Sequence, residues 1–421
     1  MAPVVALVLV ACLLGACGKA GNGGGVAGGD VGESATARAS DPPPASADAA
    51  SADAASAADT PDDANPTRPA DATPDSSRVE TPTTSAIRLG LPSIPPLDPP
   101  AADTIPPFAD PASVARADPA PTADAAGRPM FPLTGLPAPS ATVADAPVLA
   151  VKIDNAAAAR PQTGLDRADV IIEEVVEGGV TRFLALFQSQ GSDPVGPIRS
   201  VRPVDPALLT PFGGGFAYSG GTKRFINNLR RAPIADVGVD LLPAAYFRGR
   251  QAKAPYNLYS TTSALRAAMG DVRGPERPWD FVTAGTKTWS APGATAVAVY
   301  DLIVSTATRV AWRWDPAAAV WDRSTNGILH VVRGGGAVTA VNVIVIHVPY
   351  LDTTATDASH APVPEPAVLG SGAATYLVDG MQAEGRWSKS DVGAPMRFAD
   401  SGGAAIRLRR GVTWLLLAPA V

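Results

Sequence analysis

Between Gly18 and Arg128 the chain offers a single aromatic residue, Phe108, in a run dominated by Gly, Ala, Ser, Pro and Asp. A stretch so poor in apolar groups cannot bury enough surface to offset its own ordering entropy. It cannot share in a hydrophobic core, so folding is confined to the chain beyond residue 128. Residues 17–128 therefore read as a disordered tether, flexible at "GNGGGVAGGD" and stiffer where prolines gather at "LPSIPPLDPP". The tether from Gly18 onward carries 16 acidic and 7 basic residues, while the whole 421-residue chain has a net charge of −6. The acidic balance belongs to the tether. The remainder is slightly basic, which leaves room for an anionic ligand.

Ahead of the tether stands "MAPVVALVLVACLLGACGKA", an apolar run of signal-peptide length and too short to span a bilayer comfortably. Its end, Leu14-Gly15-Ala16-Cys17, resembles a bacterial lipobox: small residues for a peptidase, then a cysteine to carry lipid. On this reading residues 1–16 are removed and Cys17 is the lipidated mature N-terminus. That places the protein outside the cytoplasm, anchored to the bacterial cell membrane by a lipid. No Lys or Arg precedes the apolar run, and a plain secretory signal is the alternative. The other cysteine, Cys12, lies in the removed segment, so the folded part has none. Disulfides, thiolate metal sites and cysteine nucleophiles are thereby excluded.

From residue 129 onward there is enough chain for two domains. Apolar, β-branched runs at 146–154 (APVLAVKID), 169–176 (DVIIEEVV), 182–189 (RFLALFQS) and 215–220 (GFAYSG) predict strands. "DPALLTPF", "TKRFINNLRRA" and "TTSALRAAMGD" predict helices, the last two opened by threonine caps. Strands interleaved with helices imply an α/β domain over 129–285, a layered mixed sheet with helices. Past Trp289 the texture changes to short strand runs separated by "STNG" and "RGGG". Residues 286–421 are therefore expected to form a mainly antiparallel β domain.

In this region "FPLTGLPA", "VKIDNAAAARPQTGLDRADVIIEEVVEGGVTRFLALFQS", "VGPIRSVRPVD", "YSGGT" and "APYNLYST" succeed one another. With "NVIVIHVPY", "DG…GRWSK" and "GVTWLLL" further on, the chain resembles the YerB-like lipoproteins, a bacterial family catalogued as a domain of unknown function with N- and C-terminal parts. The resemblance covers about residues 130–421 and implies a two-domain extracytoplasmic lipoprotein. It supplies no reaction. It also implies a histidine at the position where this chain has Tyr256.

Asp154 and Asn155 close the first predicted strand, where α/β folds place ligand groups, though they could equally form an Asx turn. Side-chain alternation puts Glu173 and Glu177 on one face of the second strand and Glu174 on the other. Two carboxylates on one face could act as acid and base on a glycan. Alternatively they pair with Arg160, Arg182, Arg199 or Arg202, since buried charges need partners; this network reading is the favoured one. Arg199 and Arg202, three apart in the proline-bounded "GPIRSVRP", could grip a phosphate or carboxylate together. Asn257, from "APYNLYST", completes the set of candidate ligand-binding residues.

Other motifs carry less. "GFAYSGGTK" lacks the Lys and Ser/Thr of a phosphate-binding loop at the required positions, so no nucleotide is expected. There is no G-x-S-x-G elbow, and His330, His347 and His360 have no metal-ligand spacing. His330 and His347 read as packing residues. All seven tryptophans lie between Trp279 and Trp414 and read as core rather than as sugar platforms. The expectation is thus a non-catalytic binder of an anionic envelope polymer or partner protein, with no cofactor, metal or nucleic acid. The alternative is a carboxylate-dependent hydrolase of a cell-wall glycan.

Overall fold

The computed structural model describes residues 123–420, apart from 125, 284, 358 and 359. Cys17 and nearly all of the tether lie outside the described residues. Three strands form the heart of the first region: β1 (Leu149–Asp154), β2 (Val170–Val175) and β3 (Thr181–Phe187). Every residue of all three is buried. Two further strands, β4 (Gly215–Ala217) and β5 (Ala235–Asp236), continue the sheet in parallel from β1. The predicted strands are present with shifted ends: the first begins three residues later, the third begins one residue earlier, and the fourth stops three residues sooner.

The other edge of β2 pairs in parallel with the strand Thr413–Pro419. That strand pairs in parallel with Asn342–Val348, which continues through antiparallel neighbours 370–378, 381–389 and 397–400. The two sequence regions therefore hydrogen-bond in one mixed eleven-stranded sheet. Later strands are otherwise antiparallel except for Arg407–Leu408, which pairs in parallel with Asp280–Phe281, and a separate five-stranded sheet is built from 299–303, 309–315, 320–325, 328–329 and 339–340.

Because successive side chains point to opposite faces, the sheet divides the apolar residues into two cores. Ala150, Val170, Ile172, Leu184 and Leu186 pack with Leu208, Leu209, Phe212 and Phe225 from helices and a 3₁₀ turn on one face. Val151, Ile153, Ile171, Phe183 and Ala185 pack with Trp312, Trp321 and Trp414 on the other. Six of the seven tryptophans are buried, so their role is packing. The Thr261 cap forms as expected, its side chain accepting from the Ala264 amide. Thr222 makes no such cap bond; its hydroxyl lies toward the Thr356 carbonyl instead. Gly214 is fixed by close packing: at φ 73° its Cβ position would sit 1.9 Å from the Val148 carbonyl oxygen.

No helix among the described residues is long and apolar enough to cross a membrane.

Candidate functional site: a buried charge cluster at the ends of three strands

Three strands bring one charged row together. Arg182 on β3 lies in register with Asp154 on β1 and with Glu174 on β2, so a cation is flanked by two carboxylates on one face of the sheet. Backbone pairing supplies the next members. The Asp154 amide donates to the Pro197 carbonyl and the Arg199 amide to the Lys152 carbonyl, which fixes Arg199 beside Asp154 at 2.6 Å. The helix beginning at Asp205 then drops its carboxylate into the same space. Asp205 accepts from the Arg202 amide at 2.7 Å and from the Lys152 ammonium at 2.7 Å. Lys152 also bonds Glu174.

Glu177 does not share a face with Glu173. β2 ends at Val175, and a turn over Glu177–Gly179, with Gly178 at φ 68°, breaks the alternation. Glu177 instead meets Arg202 at 2.5 Å and Arg182 at 3.6 Å, on the Glu174 side. Four cations (Lys152, Arg182, Arg199, Arg202) thus face four carboxylates (Asp154, Glu174, Glu177, Asp205). Arg199 is the one member with appreciable exposure, 22% of its side chain. Burial is the main force on Glu174 and pushes its carboxyl up to about 7, against the pull of Lys152. Desolvation likewise lowers Arg182, to about 10.

The opposite face holds a second polar network, and it explains Glu173. Its carboxylate accepts from Arg323 at 2.5 Å, Thr181 at 2.7 Å and the Trp414 indole at 2.9 Å. Arg323 is fully buried, with its guanidinium over the rings of Trp414 and Phe183. It also bonds His330 Nδ1 at 2.8 Å. Because a guanidinium only donates, Nδ1 must accept, and Nε2–H donates to Gln162 Oε1 at 2.8 Å. Burial and the Arg323 charge push the imidazole down and keep it neutral. Gln162 in turn donates to the Asn155 Oδ1 and to the Asp154 carbonyl. His330 is therefore a hydrogen-bonded relay and more than packing.

Arg160 binds the Asn155 carbonyl and Oδ1, and the Asn155 amide donates to Thr181 at 2.7 Å. Asp154 accepts from the Ala156 amide at 2.8 Å, so the Asx turn forms even while its other oxygen faces Arg199. Asn257 accepts from Arg248 at 2.8 Å and donates to the Gly249 carbonyl, shaping the loop of the 246–260 hairpin. Next to it, the Tyr256 ring lies 5.6 Å from the Arg199 guanidinium. The chain around this point, Arg248, Arg250 and Lys253, is basic and exposed.

The expected grip of Arg199 and Arg202 takes a different form. Arg202 is 5% exposed and turned inward, held by Glu177 and the Val201 carbonyl. The acid–base pair, the less favoured alternative for Glu173 and Glu177, has no shared cleft, because their partners belong to opposite cores. Lys152, Asp205, Arg323 and His330 were missed in the sequence. The signal for Lys152 was present: one cation inside a six-residue apolar strand. Among the described residues, no three His, Cys, Asp or Glu side chains are grouped to hold a metal.

Residues 133–274 match the family model "Protein of unknown function (DUF3048) N-terminal domain", and 300–415 match its C-terminal domain. The chain is 31% identical over 209 residues to "Putative lipoprotein YerB" of Bacillus subtilis (strain 168). That match spans 47% of this chain and 61% of the relative. The crystal structure of the Bacillus subtilis YerB protein superposes with a TM-score of 0.59 at 24% identity. It covers 69% of this chain and 96% of its own, which shows the shared fold. With both parts present and in order, the chain belongs to the family of unknown function DUF3048, to which its sequence blocks pointed.

Proposed function

We propose that this protein is a non-catalytic, lipid-anchored envelope binder that takes an anionic group at the mouth beside Arg182 and Arg199. Its ligand is an anionic cell-envelope polymer or an acidic partner protein. One observation carries the reading. Arg182 is 5% exposed, yet its Nε and Nη1 have no hydrogen-bond partner, and its nearest carboxylate is 3.6 Å away. A buried guanidinium with idle donors is costly, typically about 1–3 kcal/mol per unmet group. An incoming carboxylate or phosphate would meet those donors, with Arg199 at the solvent side and the basic 248–253 loop steering approach. The carboxylates nearby are engaged by cations, which favours binding over acid–base chemistry.

Arg199→Ala should abolish co-sedimentation with isolated wall polymer while the protein still folds, less stable by about 1–3 kcal/mol because the buried Asp154 carboxylate loses its cation. Undiminished binding by this variant would remove the mouth from consideration. Release of soluble fragments from the polymer by the wild-type protein would show an enzyme instead.

The lipid anchor rests on the lipobox and on the name of the Bacillus relative. Radiolabelled palmitate should enter the wild-type chain in cells and not the Cys17→Ala variant. Equal labelling of both would leave only secretion.

A further inference from the structure

At the opposite end of β1 and β4 from the charge cluster lies a cleft of about 1130 Å³. One wall is formed by the loops 210–214 and 272–278 of the N-terminal part, the other by 388–397 of the C-terminal part. It is large for a single small ion or a drug-sized ligand, whose pockets run to about 1,000 Å³ at most. Three arginines line it: Arg273 and Arg277 on one wall and Arg397 on the other. No hydrogen bond or ion pair to another described residue satisfies any of the three guanidinium groups. Arg277 is the most constrained. It is half-buried, its Nε is shielded from solvent with nothing to donate to, and Arg410 repels it while Asp280 attracts it.

The acidic groups of the cleft do not neutralise these cations. Asp391 is turned into its own loop, accepting from the Gly393 and Ala394 amides and the Ser390 hydroxyl. Glu276 is exposed and pairs with no arginine. The cleft thus presents unpaired guanidinium groups from two walls around a space larger than a single small ligand needs.

We infer that this cleft binds a segment of a phosphodiester-linked polyanion, with Arg277 and Arg397 each holding a phosphate from opposite walls. Guanidinium forks match phosphate oxygens in bidentate fashion, and cations on both walls of a roomy cleft favour a chain with more than one charge over a single ion. Phosphates could come from a free polymer or from the headgroups of a bilayer, and the chemistry recognised is the same. The inference does not rest on the mouth at Arg182, which lies at the other end of the strands.

The test is isothermal titration of the full-length protein, purified in detergent, with a glycerol-phosphate oligomer. The comparison probes are polygalacturonate and vesicles of anionic phospholipid. Arg277→Ala and Arg397→Ala should each weaken oligomer binding about tenfold, the loss of one charge-assisted fork. Their melting temperatures should stay at the wild-type value. Arg313→Ala, at an exposed arginine on the separate five-stranded sheet, should leave this binding unchanged. Vesicle binding that falls in the same two variants would identify headgroups as a source of the phosphate; vesicle binding that does not fall would identify the free polymer. Oligomer binding unaffected by either cleft variant would overturn the inference, as would equal affinity for polygalacturonate. If Arg199→Ala alone removes oligomer binding, the mouth reading stands and the cleft reading falls.

Discussion

Arg323→Ala is expected to destabilise the fold by about 3–5 kcal/mol, because it strands Glu173 in the core without its cation. Glu173 is wholly buried, and Thr181 and Trp414 would remain as its only donors. The same change removes a guanidinium that packs over Trp414 and Phe183 and leaves the His330 Nδ1 without its donor. Urea unfolding followed by tryptophan fluorescence reads this directly, since Trp312 and Trp414 stack edge to face beside the pair. The double variant Glu173→Leu with Arg323→Met should recover most of the loss, because apolar groups of similar volume often replace a buried pair without penalty. A single Arg323→Ala variant within about 1 kcal/mol of wild type would mean that the pair contributes no more than a surface bridge.

The second large effect is a pH dependence that Glu174→Gln should remove. In the folded state burial raises the Glu174 carboxyl from 4.5 to about 7. A carboxyl raised on folding binds its proton more tightly in the native state. Its contribution is complete below about pH 4.5 and is lost as pH rises through 7. Across that window the wild type should lose about 3 kcal/mol at this site, by the usual conversion of a pKa difference. Glutamine has the shape of the protonated acid and leaves Lys152 paired with Asp205 at 2.7 Å. The variant should therefore show a flatter stability profile between pH 4.5 and 7 and little loss at neutral pH. Parallel profiles for both proteins would show that Glu174 is charged throughout.

Much of this fold was legible because its central strands are buried on both faces. LAVKID, VIIEEV and TRFLALF are apolar runs that a strand in a sandwiched sheet requires. The opposite faces of Glu173 and Glu174 came from side-chain alternation alone. What escaped was anything set by distant chain. Glu177 needed the turn at Gly178, a positive-φ position that periodicity does not encode. Lys152 passed as strand filler because its partners, Glu174 and Asp205, come 22 and 53 residues later. Arg323 and His330 lie in a different family region from Glu173 and Gln162, and no local pattern ties them together. Arg202 read as a surface grip because loop arginines usually are; its partner Glu177 sits across the turn.

The parallel pairing of β2 with Thr413–Pro419 joins segments about 240 residues apart, a separation that slows folding. During synthesis β2 emerges long before the strand that covers its edge. Until that strand arrives, the half-built sheet shows an unpaired apolar edge of the kind that invites aggregation. The Glu173 carboxylate at its centre also waits for Arg323 and Trp414 from the later region. The whole chain must therefore be delivered before the first half can close, so the two family regions mature as one folding unit and not in succession.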